Sequence, residues 1–202
     1  MRALKPHAMP RLAAPDRLAT LVQATAAIMV EKGFAGATTR DVAARLGIGR
    51  GLLHHYFDNW EALQRAAFRA VEDKARAETL TIIEPLSGWD RLATLLDILI
   101  AEQEDAHWRL YADAWDEAQR DPELAAIVAD ITAWWRDLLH DSLRPLLNPQ
   151  DSADDGAQRL LALADGLSAQ VLMTDAVLPR ARAVALLQDA ARMELAVKLD
   201  SR

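Results

Sequence analysis

Apolar positions recur at helical spacing along most of the chain. Leu18, Leu21, Val22, Ile28 and Met29 predict a first helix from Pro15-Asp16 to Lys32, stopped by Gly33 and followed by an apolar anchor, Phe34. Val42, Ala43 and Leu46 predict a short second helix entered at Thr38 or Thr39, with Asp41 in its first turn, where the helix dipole favours an acid. Gly47 turns the chain, and Leu53 and Phe57 continue the buried side of another short helix. Leu63, Ala67, Phe68 and Val71 mark a long helix over 60–83, capped by Asp58 or Asn59. The run from Glu84 to Gly88 breaks it. Residues 86–202 show no strand-like alternation. Leu92, Leu95, Leu96, Leu99 and Ile100 predict a helix over 90–106, and His107 to Gln119 form the next. Asp121-Pro122-Glu123 starts another helix that runs to about Leu147, because proline suits the first helical position. Two Ala- and Leu-rich helices follow, about 154–178 and 179–199, with Pro179 between them. The expected fold is all-α, with about nine helices.

Two short helices around a glycine turn, over 38–57, have the plan of a helix-turn-helix, which seats its second helix in the DNA major groove. At 100° per residue, Arg50, Gly51, His54 and His55 fall together within an arc of about 140°. Arginine can bond guanine twice, and glycine lets the helix backbone approach the base edges. The expected DNA contacts are Thr39, Arg40, Arg50, Gly51, His54, His55 and Tyr56. Arg50 and His54 lie nearest the bases, Thr39 and Tyr56 nearer the phosphates, and His55 has partial packing against the first helix as its alternative.

Charge sharpens this division. The whole chain carries −7, but residues 1–60 hold eight Lys or Arg against four acids, a net +4 that leaves −11 for the rest. A basic head on an acidic body suits contact with phosphates. Three domains are expected: a basic tail at 1–15, a helix-turn-helix domain at 16–60, and a helical ligand-binding and dimerisation domain at 61–202.

The run from Thr39 to Phe57, with Glu61-Ala62-Leu63 after it, resembles the DNA-binding signature of the TetR (tetracycline repressor) family, nearest to its BetI-like branch. The matching residues are Thr39, Asp41, Val42, Ala43, Gly47, Ile48, Gly51, Tyr56 and Phe57. Asp121-Pro122-Glu123-Leu124 and Asp165-Gly166-Leu167 extend the likeness into the body. The resemblance implies a transcriptional regulator, expected to be a repressor, released from a palindromic operator on double-stranded DNA by an unidentified small-molecule effector. It also implies a homodimer through the last two helices. Three positions depart from the family pattern: Gly49 stands at the usual Ser or Thr cap, His54 at a common Tyr, and Trp60 at a phosphate-binding Lys. Glycine caps a helix only a few tenths of a kcal/mol less well than serine. Losing the lysine contact lowers the salt dependence of binding by about one unit.

Five of the six Trp lie between 89 and 135. Trp108, Tyr111 and Trp115 share one helical face, Trp134 and Trp135 follow on the next long helix, and Glu102, Glu104, Asp113 and Asp116 are interspersed. Aromatic faces beside carboxylates can cage an organic cation, so these five aromatics are the candidate effector contacts. Their alternative is ordinary core packing.

Other chemistries find little support. There is no Cys, and the adjacent His54 and His55 point about 100° apart, so no metal site is expected. The glycines of 47–51 follow a helix and lack the Lys-Ser/Thr of a phosphate loop, and no catalytic triad or carboxylate pair stands out. No cofactor and no enzymatic activity are expected. With no apolar run of membrane-spanning length and no apolar signal core, the expected location is cytoplasmic, with no membrane partner. Two other readings stay open. One is a protein-interaction module with weakened DNA binding, raised by Trp60. The other is an all-helical enzyme using the body cavity.

Overall fold

The computed structural model describes residues 14–49, 57–148, 152–173 and 177–196. All the regular structure among them is helical: α1 Ala14–Lys32, α2 Thr39–Leu46, α3 Trp60–Ile83, α4 Gly88–Leu99, α5 Ala106–Ala118, α6 Pro122–Leu143, α7 Ala153–Val171 and α8 Arg180–Ala196. A 3-10 turn, Arg144–Leu146, follows α6. The expected recognition helix lies almost wholly outside the described residues.

Packing divides the described residues into two compact units. One holds the residues up to Lys74 together with Ala106–Val128, and the other holds Ala75–Asp105 with the residues from Ala129 onward. These packing units are drawn differently from the domains expected at 16–60 and 61–202, because α5 belongs with the N-terminal helices.

In the first unit, α1 packs on α2 and on α5. Leu21, Ile28, Met29, Phe34, Val42, Leu63, Phe68, Leu110 and Leu124 form its core. Leu46 and Ile48, at the end of α2 and just past its glycine stop, are half-buried. Gly33 ends α1 at φ +78°, a backbone region that disfavours side chains, and its N–H closes the last turn on Met29 O at 2.8 Å. Gly47 ends α2 in the same left-handed region, φ 65°.

The second unit is built on Leu92, Leu95, Leu96, Leu139, Leu160, Leu161, Ala164, Leu187 and Ala191, drawn from α4, α6, α7 and α8. Small residues at Ala157, Ala164, Ala183 and Ala191 are all fully buried, which lets α7 and α8 pack along their length.

The structure corrects three expected boundaries. The fourth helix ends at Leu99 rather than 106. The Ser168 hydroxyl on α7 donates to Leu99 O at 3.1 Å and accepts from Ala101 N–H at 3.0 Å, so a tertiary contact takes over the end of the helix. The sixth helix stops at Leu143, and Pro145, which has no N–H to donate, sits in the 3-10 turn. The seventh stops at Val171 instead of 178, while the expected end of the eighth, at 199, lies outside the described residues. Asn59 is the cap of α3, its Oδ1 accepting from Ala62 N–H at 2.7 Å.

Asp165 is half-buried on α7, and burial pushes its carboxyl up to about 6. The folded chain therefore favours the protonated acid. The resulting destabilisation is absent below the ordinary carboxylate range and fully present above about pH 6. Asp165→Asn is expected to raise unfolding free energy at pH 7 by about 1–3 kcal/mol, with the advantage fading as pH falls from 6 to 4. Urea titrations across that range measure it. An advantage that does not change with pH refutes this account.

Candidate DNA-binding head and effector face

The end of α2 that the sequence offers to DNA is built by a capping box. Thr38 Oγ1 accepts from Asp41 N–H at 3.2 Å, while Asp41 Oδ2 accepts from Thr38 N–H at 3.1 Å. Lys32 Nζ reaches Asp41 Oδ1 at 2.5 Å, tying the end of α1 to the start of α2. The Lys32 hydrogen bond, with help from Thr38, holds the Asp41 carboxyl below its usual range. On the far side, Arg45 bonds both oxygens of Glu31 at 2.8 and 2.7 Å. Two of the head's positive charges are thus internally neutralised. Arg40 is exposed and makes no ion pair among the described residues, and Thr39 beside it is half-buried. Arg50, Gly51, His54, His55 and Tyr56 lie outside the described residues.

Trp60, at the position of the family's lysine, is the first residue of α3 and is half-buried. It lines a cleft of about 560 Å³ together with Phe34, Ala35, Ala37, Gln64 and Arg65. The start of α6 forms another wall. There Asp121 Oδ1 caps the helix, accepting from Glu123 and Leu124 N–H at 3.0 and 3.1 Å. Arg65, largely buried, joins α3 to that helix start through Asp121 at 2.7 Å and Glu123 at 2.8 Å.

The candidate effector aromatics separate into two groups. Trp108, Tyr111 and Trp115 lie in the first unit and touch one another, with ring centroids 5.2–6.3 Å apart in edge-to-face pairs. Tyr111 also stacks on Phe68 at 6.4 Å, and Phe68 meets Phe34 edge-on at 6.0 Å. Trp134 and Trp135 belong to the second unit, packed edge-to-face at 4.8 Å. The guanidinium of Arg76 lies 5.2 Å over the Trp134 ring.

Sequence reasoning missed the polar members of this region. Gln64, Phe68 and Glu72 form one stripe of α3 at intervals of four residues, and all three are buried. Glu72 is 1% exposed, and its Oε1 lies 2.9 Å from His107 Nε2, one helical turn from the Phe68–Tyr111 stack. The interval of four was visible in the sequence. The polar identities argued against a buried stripe, since acids rarely go inside without a partner.

Two family models match the chain. One, described as bacterial regulatory proteins of the tetR family, covers residues 21–67. The other, described as the C-terminal region of BetI-type transcriptional repressors, covers 89–196, more than half the chain. The chain belongs to the TetR family. It is 28% identical over 186 residues to the HTH-type transcriptional regulator BetI of Agrobacterium fabrum, covering 90% of this chain and 89% of that protein. In fold it is similar to a transcriptional regulator from Pseudomonas aeruginosa PAO1, with TM-score 0.76, 23% identity and coverage of 95% and 97%. It is equally similar to a regulator from Saccharomonospora viridis solved in complex with choline, with TM-score 0.76, 19% identity and coverage of 87% and 95%. The TetR assignment makes this chain a DNA-binding transcriptional regulator, with an N-terminal DNA-binding region and a ligand-binding C-terminal region. No described helix is long and apolar enough to cross a membrane.

Proposed function

We propose that this TetR-family chain is a homodimeric repressor of a palindromic operator, released when a small organic cation occupies the aromatic face of α5. Thr39, Arg40, Arg50, Gly51, His54, His55 and Tyr56 contact DNA, and the protein works in the cytoplasm, where the operator is. The observation that carries the effector class is the buried Glu72 carboxylate, bonded to His107 one helical turn from the Phe68–Tyr111 stack. Aromatic faces attract a quaternary ammonium through their electron-rich centres, and a nearby carboxylate supplies the balancing charge. The solved relative with bound choline supports the same class. Trp134 and Trp135, with Arg76 against them, suit packing better and are left outside the proposed site.

The dimer reading is supported by apolar side chains left exposed along the last two helices and the connection between them. Leu163, Met173, Val177 and Met193 are 37–67% exposed. A second copy would cover them and bring two heads to one operator.

Selection of bound sequences from random duplex DNA tests both parts. The expected product is a palindromic motif with half-sites about one helical turn apart, the signature of a two-fold dimer. Choline at millimolar concentration is expected to release it, and Glu72→Gln to weaken that release tenfold or more. Selection that enriches no motif overturns the operator reading. A motif that choline leaves bound overturns the effector class.

A further inference from the structure

We propose that Asp113 is a positioning residue for the DNA-binding head: from α5 it holds the loop between α1 and α2, and through it a displacement of α5 reaches the start of α2. The second half of this inference rests on the effector lying against the aromatic face of α5.

The loop is held at one peptide. Asp113 Oδ2 accepts the Phe34 N–H at 3.2 Å. The Phe34 carbonyl accepts from Gln64 Nε2 at 2.8 Å, and Gln64 is buried on α3. Phe34 is therefore strung between α5 and α3 by its backbone, while its ring meets Phe68. A carboxylate is suited to this task. It is acceptor-only, and charge makes its bond to a backbone N–H stronger than a neutral one.

Gly33 leaves room for the contact. A Cβ there would lie 2.7 Å from Asp113 Oδ2, closer than real Cβ atoms come, so a side chain would push the carboxylate away from Phe34. The left-handed turn and the approach of Asp113 meet at this one residue.

Position on α5 gives the contact its regulatory sense. Asp113 is two residues from both Tyr111 and Trp115, so it points about 200° from each around the helix. One side of α5 carries the aromatic rings and the other carries the hold on the loop. A helix moves as a rigid piece, so a ligand wedged against the rings displaces the carboxylate as well. From Phe34 only Ala35, Gly36 and Ala37 lead to Thr38, the cap of α2. Ala35 and Ala37 face the cleft of about 560 Å³, so the loop has space on that side into which it can shift.

Two variants and a cycle test this. Amide exchange at Phe34, measured on the full chain without ligand, is expected to rise tenfold or more in Asp113→Ala. In Asp113→Asn, which keeps an acceptor oxygen, it is expected to stay near wild type. Gly33→Ala should weaken binding to the selected operator fivefold or more in the wild-type background. In the Asp113→Ala background its effect should be at least twofold smaller, because the clash is gone and only the strain of the left-handed backbone, common to both backgrounds, remains. Choline binding, followed by tryptophan fluorescence, should be unchanged in Asp113→Ala while choline's release of operator falls tenfold or more, with Asp113→Asn restoring it. A purely structural residue would lower stability and both affinities together. Unchanged Phe34 exchange, an additive cycle or an intact choline response in Asp113→Ala each overturns the proposal. If wild type fails to bind choline, the effector reading falls by itself, and exchange and the cycle still decide the hold on the loop. If no operator is selected, exchange at Phe34 decides it.

Discussion

Phe68→Ala is expected to cost the fold about 3–5 kcal/mol, the range for removing a buried aromatic ring that its surroundings cannot close over. Phe68 is fully buried, with Phe34 edge-on at 6.0 Å and Tyr111 stacked at 6.4 Å. Its ring therefore joins the loop after α1 to the helix bearing the candidate effector aromatics. Loss of the ring leaves a cavity between rigid helices and removes both aromatic contacts. Urea denaturation of the purified protein measures the loss. Phe68→Leu, which refills most of the volume, is expected to lose less. A cost below about 1.5 kcal/mol for the alanine variant would mean that α3 and α5 collapse onto the gap, and that the ring is a filler and not a joint.

Arg50→Ala is expected to lower operator affinity by about 1–3 kcal/mol, the scale of one two-bond contact to guanine. The preference for the base it reads should relax at the same time. Arg40→Ala gives the contrast. Arg40 is exposed at the start of α2 and unpaired among the described residues, so its loss should weaken all sequences alike and lower the salt slope by about one. Mobility-shift titrations on the selected operator and on single-base variants, at two salt concentrations, separate the two. Arg50→Ala with unchanged base preference would remove Arg50 from the readout.

Much of the head was legible because its signals are local. The Gly33 and Gly47 stops stand where the pattern placed them, and of the two caps it offered for α2 the structure uses Thr38, in a capping box with Asp41. Asp121-Pro122 starts α6 as the pattern placed it, and of Asp58 and Asn59 the structure uses Asn59 before α3. Charge was less legible. The head's net +4 suggested a broad basic surface, but Lys32 and Arg45 are bonded to Asp41 and Glu31, which lie nine and fourteen residues away in the chain. A charge count has no record of which charges neutralise one another.

The candidate effector face was half legible. Helical spacing put Trp108, Tyr111 and Trp115 together, and the structure agrees. Trp134 and Trp135 were added from adjacency along the chain, and packing places them in the second unit. Glu72 and His107, 35 residues apart, have no common sequence motif, and neither do Asp113 and Phe34, 79 apart.

By itself the sequence determined the all-α class, the helix starts and the TetR signature, because caps, glycine stops and apolar periodicity act within a turn or two of helix. Only the tertiary structure decided where α4 ends, which acid is buried beside the aromatics, and that α5 packs with α1. Each of these depends on groups far apart in sequence meeting at hydrogen-bond distance, as Ser168 meets Leu99 and Asp113 meets Phe34. Such meetings follow from how the apolar faces of whole helices are buried against one another, which no single stretch of the chain encodes.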